Sequence, residues 1–449
     1  MNESTKISLR TAPVHPPSFT ALFLLSEISD NVLKSIMGCA ISISAVGKNR
    51  KKNISEVTVF VPSLRVPVQS DLQKTLRGLI PKDLVNRISS LRNQIVLVAE
   101  ETGGSAISEL QKALNDYLSL LLGLTNREYG LQELVEFKWK DLEDGRQEIC
   151  VANSWFELLS VLHMIAMLTL TEANIKLIPK DNNLSERLVS ADCMRDAVDL
   201  LLKAAGYMDF CVNNVLPQLP PDMKNKLPTY LHESVLEAIS NQALAQGTEL
   251  QLGLAVQSQN ATLSVKRRLA CELLIYFGLA HRCLSEGNNN GKSRKKHFLF
   301  LKCKYLEAKA AAYYYHGLVL DKGTEPSCHI SAVCCFLAAE ELLAESKKAC
   351  LAFCLADPVT RVPPPWGAMK HLHKKIPETA SKKSQMYGYL LDQEKGLQIL
   401  PDLPEFQLSL KPDDYELPAT DTAWNSGSWE ISGQPLKDHL KDGKEEVET

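Results

Sequence analysis

Lys304-Tyr-Leu-Glu-Ala-Lys-Ala-Ala-Ala-Tyr-Tyr-Tyr-His-Gly-Leu-Val-Leu-Asp-Lys322 decides the fold class of this chain. The alanine run Ala310–Ala312 favours helix strongly, and small side chains let a neighbouring helix approach closely. Tyr313, Tyr314 and Tyr315 leave a helix in three directions, so at least one phenol must lie against a neighbouring element. The stretch therefore reads as a core helix. A short loop, Gly323 to Ser327, follows it, and a second long helical pattern runs from about His329 to Asp357.

Outward from this pair the pattern stays helical. Upstream it predicts helices near Ser154–Leu177, Ser185–Val215, Thr229–Val256, Thr262–Ser285 and Lys295–Val319. The segment from Pro217 to Pro228 and the loop from Gly287 to Gly291 divide them. Two further helices are expected near Pro81–Glu100 and Ser105–Leu122. Glu56 to Val61 alternates as a strand, and Val135–Trp139 with Gln147–Val151 reads as a hairpin about Asp144-Gly145. Downstream, Val362-Pro-Pro-Pro-Trp366 makes a stiff corner, a helix is expected near Ser381–Leu400, and an extended tail follows. No tetratricopeptide consensus or other fixed period runs through the chain.

At 449 residues the chain exceeds the usual single-domain range, but stacked helix hairpins escape that limit because each packs only on its neighbours. A net charge of −3 gives no global drive toward nucleic acid or an acidic membrane, so such attraction must come from local patches. Several basic clusters recur: Lys266-Arg267-Arg268, Arg294-Lys295-Lys296-His297 with Lys302 and Lys304, Lys347-Lys348, Lys374-Lys375 and Lys382-Lys383. Each reads first as a solvated helix face, and gathered on one surface they would suit acidic lipid heads or an acidic helix. No nucleic-acid reader motif accompanies them, and no nucleic-acid partner is expected. The twelve cysteines lie in helical patterns, as small hydrophobes do, which favours a reducing compartment over a disulfide scaffold. Trp155 to Leu170 is the longest apolar run; Glu157 and His163 interrupt it, and it reads as a buried core helix.

Catalytic signatures are missing. The chain has no His-Glu-x-x-His, no Gly-x-Ser-x-Gly, no Gly-x-Gly-x-x-Gly and no Asp-Asp-x-x-Asp. Gly287-Asn-Asn-Asn-Gly-Lys-Ser293 is one residue short of a phosphate loop and follows a helix rather than a strand. Cys328, Cys334, Cys335, Cys350 and Cys354 with His371 and His373 fit no structural-zinc spacing. Glu157 and His163 lie in roughly opposite directions on one helix, which suits a hydrogen-bonded core more than catalysis. No cofactor, no metal and no enzymatic activity are expected.

Four segments in order carry a family likeness. The Ala-rich, Tyr-bearing helix and its following long helix resemble a late helix pair of the BRO domain family, the Alix-type, ESCRT-associated scaffold. Ser154-Trp-Phe-Glu-Leu-Leu-Ser-Val-Leu-His-Met-Ile-Ala-Met-Leu168 resembles the family's phenylalanine–glutamate helix, with Leu158-Leu159 in place of the more usual basic residue and alanine. Ala245-Gln-Gly-Thr-Glu249 is similar to the family's Ala-Gln-Ala-Gln-Glu, with Gly247 and Thr248 substituted. Leu410-Lys-Pro-Asp-Asp-Tyr-Glu-Leu-Pro418 resembles the extended segment that closes plant single-domain members. The likeness spans about Glu56 to Pro418.

The resemblance implies a mainly α, elongated, boomerang-like scaffold of helix hairpins with a tetratricopeptide-like core and a small N-terminal β-sheet. It implies a non-catalytic adaptor in endosomal sorting whose apolar groove takes the amphipathic C-terminal helix of an ESCRT-III subunit. In the family that groove draws on the helix leading into the Ala-Gln signature, which here offers Leu231, Val235, Leu236 and Ile239. The expected organisation is a leader over 1–36, an anchor segment over 37–55, the BRO-like domain over 56–418 and a disordered tail over 419–449.

Met37-Gly-Cys-Ala-Ile-Ser42 has glycine second and serine sixth, the myristoylation pattern, if translation begins at Met37. Gly38 would carry the myristoyl chain and Cys39 a palmitoyl chain, followed by the basic residues Lys48, Arg50, Lys51 and Lys52. One myristoyl chain binds marginally, and a second chain or a basic cluster makes anchoring stable. Plant BRO-like proteins resemble this chain in beginning at such a Met-Gly-Cys. The expected location is cytoplasmic, peripheral on an endosomal or plasma membrane. The C-terminus Glu445-Glu-Val-Glu-Thr449 has no Cys-a-a-X box. Two other readings remain: a membrane-anchored adaptor with partners outside ESCRT, and a plastid-targeted helical protein cleaved before Met37.

Overall fold

The computed structural model describes residues 59–141, 148–178, 189–285, 292–357, 359, 369–393 and 399–425. The leader, Gly38, Cys39, the basic residues Lys48 to Lys52, the Gly287–Gly291 loop and the Pro363–Trp366 corner lie outside the described residues.

The fold is mainly helical, with a three-stranded antiparallel sheet near its start. Strands β1 (Arg65–Pro67), β2 (Glu136–Asp141) and β3 (Glu148–Ala152) pair in that order, with Val66 opposite Lys140 and Phe137 opposite Val151. The strand expected at Glu56–Val61 is not formed over its described residues 59–61, where the Val59 amide donates to Asn174 Oδ1 at 3.0 Å instead, and the first strand of the sheet is β1. Alternation in β2 buries Phe137, Trp139 and Asp141 on one face, as a half-covered sheet requires.

Among the described residues nine long helices follow one another: α1 (Lys82–Thr102), α2 (Ile107–Thr125), α3 (Ser154–Lys176), α4 (Ala191–Phe210), α5 (Glu233–Gln257), α6 (Leu263–Ser285), α7 (Lys292–Leu320), α8 (Pro326–Leu355) and α9 (Met369–Met386). Each packs on the next along the chain from α1 to α9, α2 meeting α3 although β2 and β3 lie between them in sequence. Local chemistry sets several ends. Asn153 caps α3 by accepting from the amides of Trp155 at 2.8 Å and Phe156 at 3.3 Å. Gly103 ends α1 in the left-handed conformation at φ 58°.

α3 is apolar on every side and mostly buried, the signature of a helix enclosed by other elements. By length and composition α3 and α8 would each suffice to cross a membrane, and α3's burial inside the protein accounts for its hydropathy. The tyrosine run resolves as its spacing demands: Tyr313, Tyr314 and Tyr315 are all buried, with Tyr314 against Phe336 of α8. Gly317 makes that contact close, since a methyl group there would collide with Phe336.

The last long helix differs from expectation, and a short one at Gly388–Gln393 follows it. α9 begins at Met369, twelve residues before the expected Ser381, and carries Pro377 in its interior. Proline removes an intrahelical hydrogen bond, so local propensity opposes a helix through Pro377. Met369, Leu372, Ile376 and Ala380 bury one face of α9, and that tertiary burial outweighs the local cost. Residues 399–425 run extended, as expected of the tail as far as Pro418, but order continues beyond it: Thr422–Trp424 forms a 3-10 turn and Trp424 is buried.

Candidate partner-binding surfaces

Glu157, from the phenylalanine–glutamate helix, is fully buried at the junction of the sheet with α1, α2 and α3. It accepts from Arg92 Nε at 2.9 Å, Tyr117 Oη at 3.1 Å and Trp139 Nε1 at 2.6 Å. The remaining Arg92 donors reach the Val68 carbonyl, Ser70 Oγ at 3.1 Å and the Lys138 carbonyl at 3.2 Å. Every strong donor in this cluster has an acceptor, which is the condition for a buried ion pair to persist. Burial pushes the Tyr117 phenol well up, so it remains a donor. The cluster fixes the sheet to the helices. His163 lies elsewhere, edge-on to Tyr230 at 5.4 Å, and burial beside Arg65 lowers its pKa to about 3. The expected separation of Glu157 from His163 is therefore what the helix delivers.

The four groove candidates are all core residues. Leu231, Val235, Leu236 and Ile239 are 0%, 6%, 0% and 1% exposed. The physical reason is the position of α5 between α4 and α6, which buries almost every side chain from Val235 to Leu250. At this end of α5 the partly exposed side chains are Tyr230, His232, Ser234 and Glu237, with Glu233 exposed.

The Ala-Gln segment is also internal. Ala245, Gln246, Gly247, Thr248 and Glu249 are buried. Glu249 pairs with Lys304 of α7 at 3.0 Å, Lys304 approaches Glu307 at 3.3 Å, and His373 of α9 reaches Glu307 at 3.6 Å. Burial raises the Glu249 carboxyl pKa, and Lys304 opposes that rise. One turn earlier, Gln242 donates to the Phe60 carbonyl at 2.7 Å and to Gln246 at 3.0 Å. His297 shares a 2.6 Å hydrogen bond with Gln242 Oε1, and burial beside Arg294 lowers its pKa to about 3. The neutral ring therefore donates through Nε2. These polar links tie α5, α7 and α9 together and fix their register.

Sequence reading missed the grip on the closing segment. Residues 403–417 alternate, with Phe406, Leu408 and Leu410 packed on the core and Gln407 and Ser409 more exposed. Buried Glu272 of α6 accepts from the Ser409 amide at 2.9 Å and from its hydroxyl at 2.9 Å. Tyr276 donates to the Leu410 carbonyl, and the Asp413 amide donates to the Leu202 carbonyl of α4 at 3.1 Å. Arg87 then holds Asp421 through two hydrogen bonds, at 3.3 and 2.7 Å, and Trp424 Nε1 donates to the Leu120 carbonyl at 3.0 Å. Gly206 and Gly123 make room for this strap: a methyl group would strike the Asp413 carbonyl at one and the Trp424 indole at the other. The two-residue alternation of Phe406, Leu408 and Leu410 was the available signal.

Of the basic clusters, only part stays at the surface. Arg294, Lys296 and Lys304 are buried. Lys296 Nζ donates to the carbonyls of Phe353 and Ala356 at the end of α8, where the helix dipole favours a cation. Cys303, Cys350 and Cys354 are free thiols in the α7–α8 interior, and the Cys350 pKa is pushed up by hydrogen bonding with Cys303 and by burial. Among the described residues no group of histidine, cysteine and carboxylate side chains is placed to hold a metal.

Comparison with known proteins places this architecture. A family model described as BRO1-like domain matches residues 51–385. A comparison with curated protein sequences finds no match. Among solved structures, ALIX bound to a SIVmac239 late-domain peptide superposes with a TM-score of 0.58 at 18% identity, over 81% of this chain and 50% of that one. The chain thus spans about half the length of that ALIX chain. The Bro1 domain, from a study of endosomal targeting, gives 0.53 at 17% identity over 83% and 95% of the two chains. The ALIX BRO1–CHMP4C complex gives 0.56 at 17% identity over 81% and 97%. ALIX and Bro1 are non-enzymatic scaffold proteins. With three quarters of its length matched and the helical order in place, the chain belongs to the BRO1-like domain family.

Proposed function

We propose that this protein is a non-catalytic adaptor in ESCRT-linked endosomal sorting, and that it receives the amphipathic tail helix of an ESCRT-III subunit. The observation that carries this reading is the BRO1-like match over 51–385, in a fold whose solved neighbours include a complex of the ALIX BRO1 domain with CHMP4C. A tail helix would lie against exposed helix faces with its apolar residues at i, i+3, i+4 and i+7. In this reading Leu231, Val235, Leu236 and Ile239 shape the groove from beneath, since their side chains are enclosed. The protein is held at an endosomal membrane by the acylated Gly38 and Cys39, with Lys48, Arg50, Lys51 and Lys52 against acidic lipid heads.

Fluorescence anisotropy with labelled ESCRT-III tail helices tests the partner. Saturable binding to at least one subunit's tail is expected, and no binding to any of them overturns the assignment. Intact-mass analysis of the native N-terminus tests the anchor: a myristoyl group on Gly38 is expected, and an unmodified start at Met1 rejects it.

A further inference from the structure

The α6–α7 hairpin separates charge sharply from the rest of the chain. Its two helices carry eleven basic side chains and two acidic ones, within a protein whose net charge is −3. Both acids, Glu272 and Glu307, are buried and face the strap and α9 respectively. Every charged side chain exposed on this hairpin is therefore positive.

The exposed lysines are also in register. Lys295, Lys302 and Lys309 recur at seven-residue intervals along α7, a straight row of about 21 Å. Lys295 and Lys302 are exposed and Lys309 is half-buried. The hairpin's ion pairs are Arg268–Glu272, Lys304 with Glu249 and Glu307, and Glu307 with His373. Among the described residues none of them engages the three lysines. Beside the row, Phe298 and Tyr305 stand three residues after the first two lysines and hold His281 of α6 between them, at 4.7 and 5.8 Å. Gly278 lets the Tyr305 ring lie across α6. The strap lies against α6 at Arg267, whose guanidinium stands over the Phe406 ring at 5.8 Å.

A row of cations at heptad spacing, flanked by half-buried rings along the seam of two helices, has the periodicity of a third helix laid along that seam. A flat lipid surface would require no such register. We infer that the α6–α7 seam docks an acidic amphipathic helix whose carboxylates recur every seven residues opposite Lys295, Lys302 and Lys309. Its apolar residues lie on Phe298 and Tyr305. This surface is distinct from the α5 region, and the inference does not rest on the ESCRT-III reading.

The test uses the full chain and a labelled synthetic helix of about four turns, with glutamate every seven residues and leucine three and four residues after each. Saturable binding by anisotropy is expected, weakening as salt is raised. Lys302→Glu with Lys309→Glu should weaken it at least about tenfold, and a peptide with lysine in place of glutamate should recover affinity for that variant. Lys374→Glu with Lys375→Glu on α9 serves as the control and should leave affinity unchanged; circular dichroism checks that each variant is folded. Equal affinity of the lysine-reversed variant for the acidic helix, no binding at all, or binding only to phosphatidylserine vesicles overturns the inference.

Discussion

Replacing Arg92 with alanine should be among the most destabilising single changes in this protein. Arg92 is 1% exposed and its partner Glu157 is fully buried, so the variant leaves a carboxylate in the interior with only Tyr117 and Trp139 as donors. It also removes the guanidinium donor from the Val68 carbonyl, while the Lys138 carbonyl keeps the Val68 amide at 2.8 Å. Breaking a buried pair by removing one partner costs about 3–5 kcal/mol, against ~0–1 kcal/mol for an exposed pair. Urea unfolding followed through tryptophan fluorescence reads the loss, because Trp139 is bonded directly to Glu157. Arg92→Met combined with Glu157→Leu should recover much of the stability lost by either single change, since the pair's own desolvation is then avoided. A loss below about 1 kcal/mol for Arg92→Ala, or a double variant as unstable as the two singles summed, would refute the view that this cluster locks the sheet to the helices.

Gly206→Ala should free the strap without unfolding the helices, because the added methyl meets the Asp413 carbonyl; hydrogen exchange should lose protection at Ser409 and Asp413 while α3 keeps its own. Trp424→Ala should cost about 3–5 kcal/mol, read as a lower unfolding midpoint, since the indole is buried and bonded to Leu120. Asp421 has a pKa held below its ordinary 3.8 by hydrogen bonds from Arg87 and the Ala423 amide. Its contribution is complete above that value and lost as pH falls through the depressed one, so strap protection should fail only in strong acid. His163 and His297 titrate near 3 when folded against an ordinary 6.5. Their stabilisation is present above 6.5 and declines on acidification toward 3, by about 1.4 kcal/mol per pH unit for each. His297→Gln should flatten that slope in unfolding curves taken between pH 6.5 and 5.

The two kinds of site differed in what they offered a reader of the sequence. Leu231, Val235, Leu236 and Ile239 have the spacing of a helix face, but spacing cannot say which side of α5 meets water once α4 and α6 flank it. The basic clusters divided in the same way. Lys296 caps α8, and Lys304 neutralises Glu249, while Lys295 and Lys302 in the same stretch remain in solvent. The strap's anchors lie up to 334 residues from their partners, as Arg87 does from Asp421, and no local pattern links such positions.

Helical class, the order of the helices, the hairpin of the sheet and the burial of the tyrosine run were all present in the sequence, because periodicity and local propensity act over a few residues. Tertiary structure alone decided that α9 runs through Pro377, that Trp424 belongs to the core, and which charges are withdrawn from water. Those outcomes depend on which apolar faces meet after collapse, and burying a face can outweigh a local penalty of a few kcal/mol such as that of a helical proline.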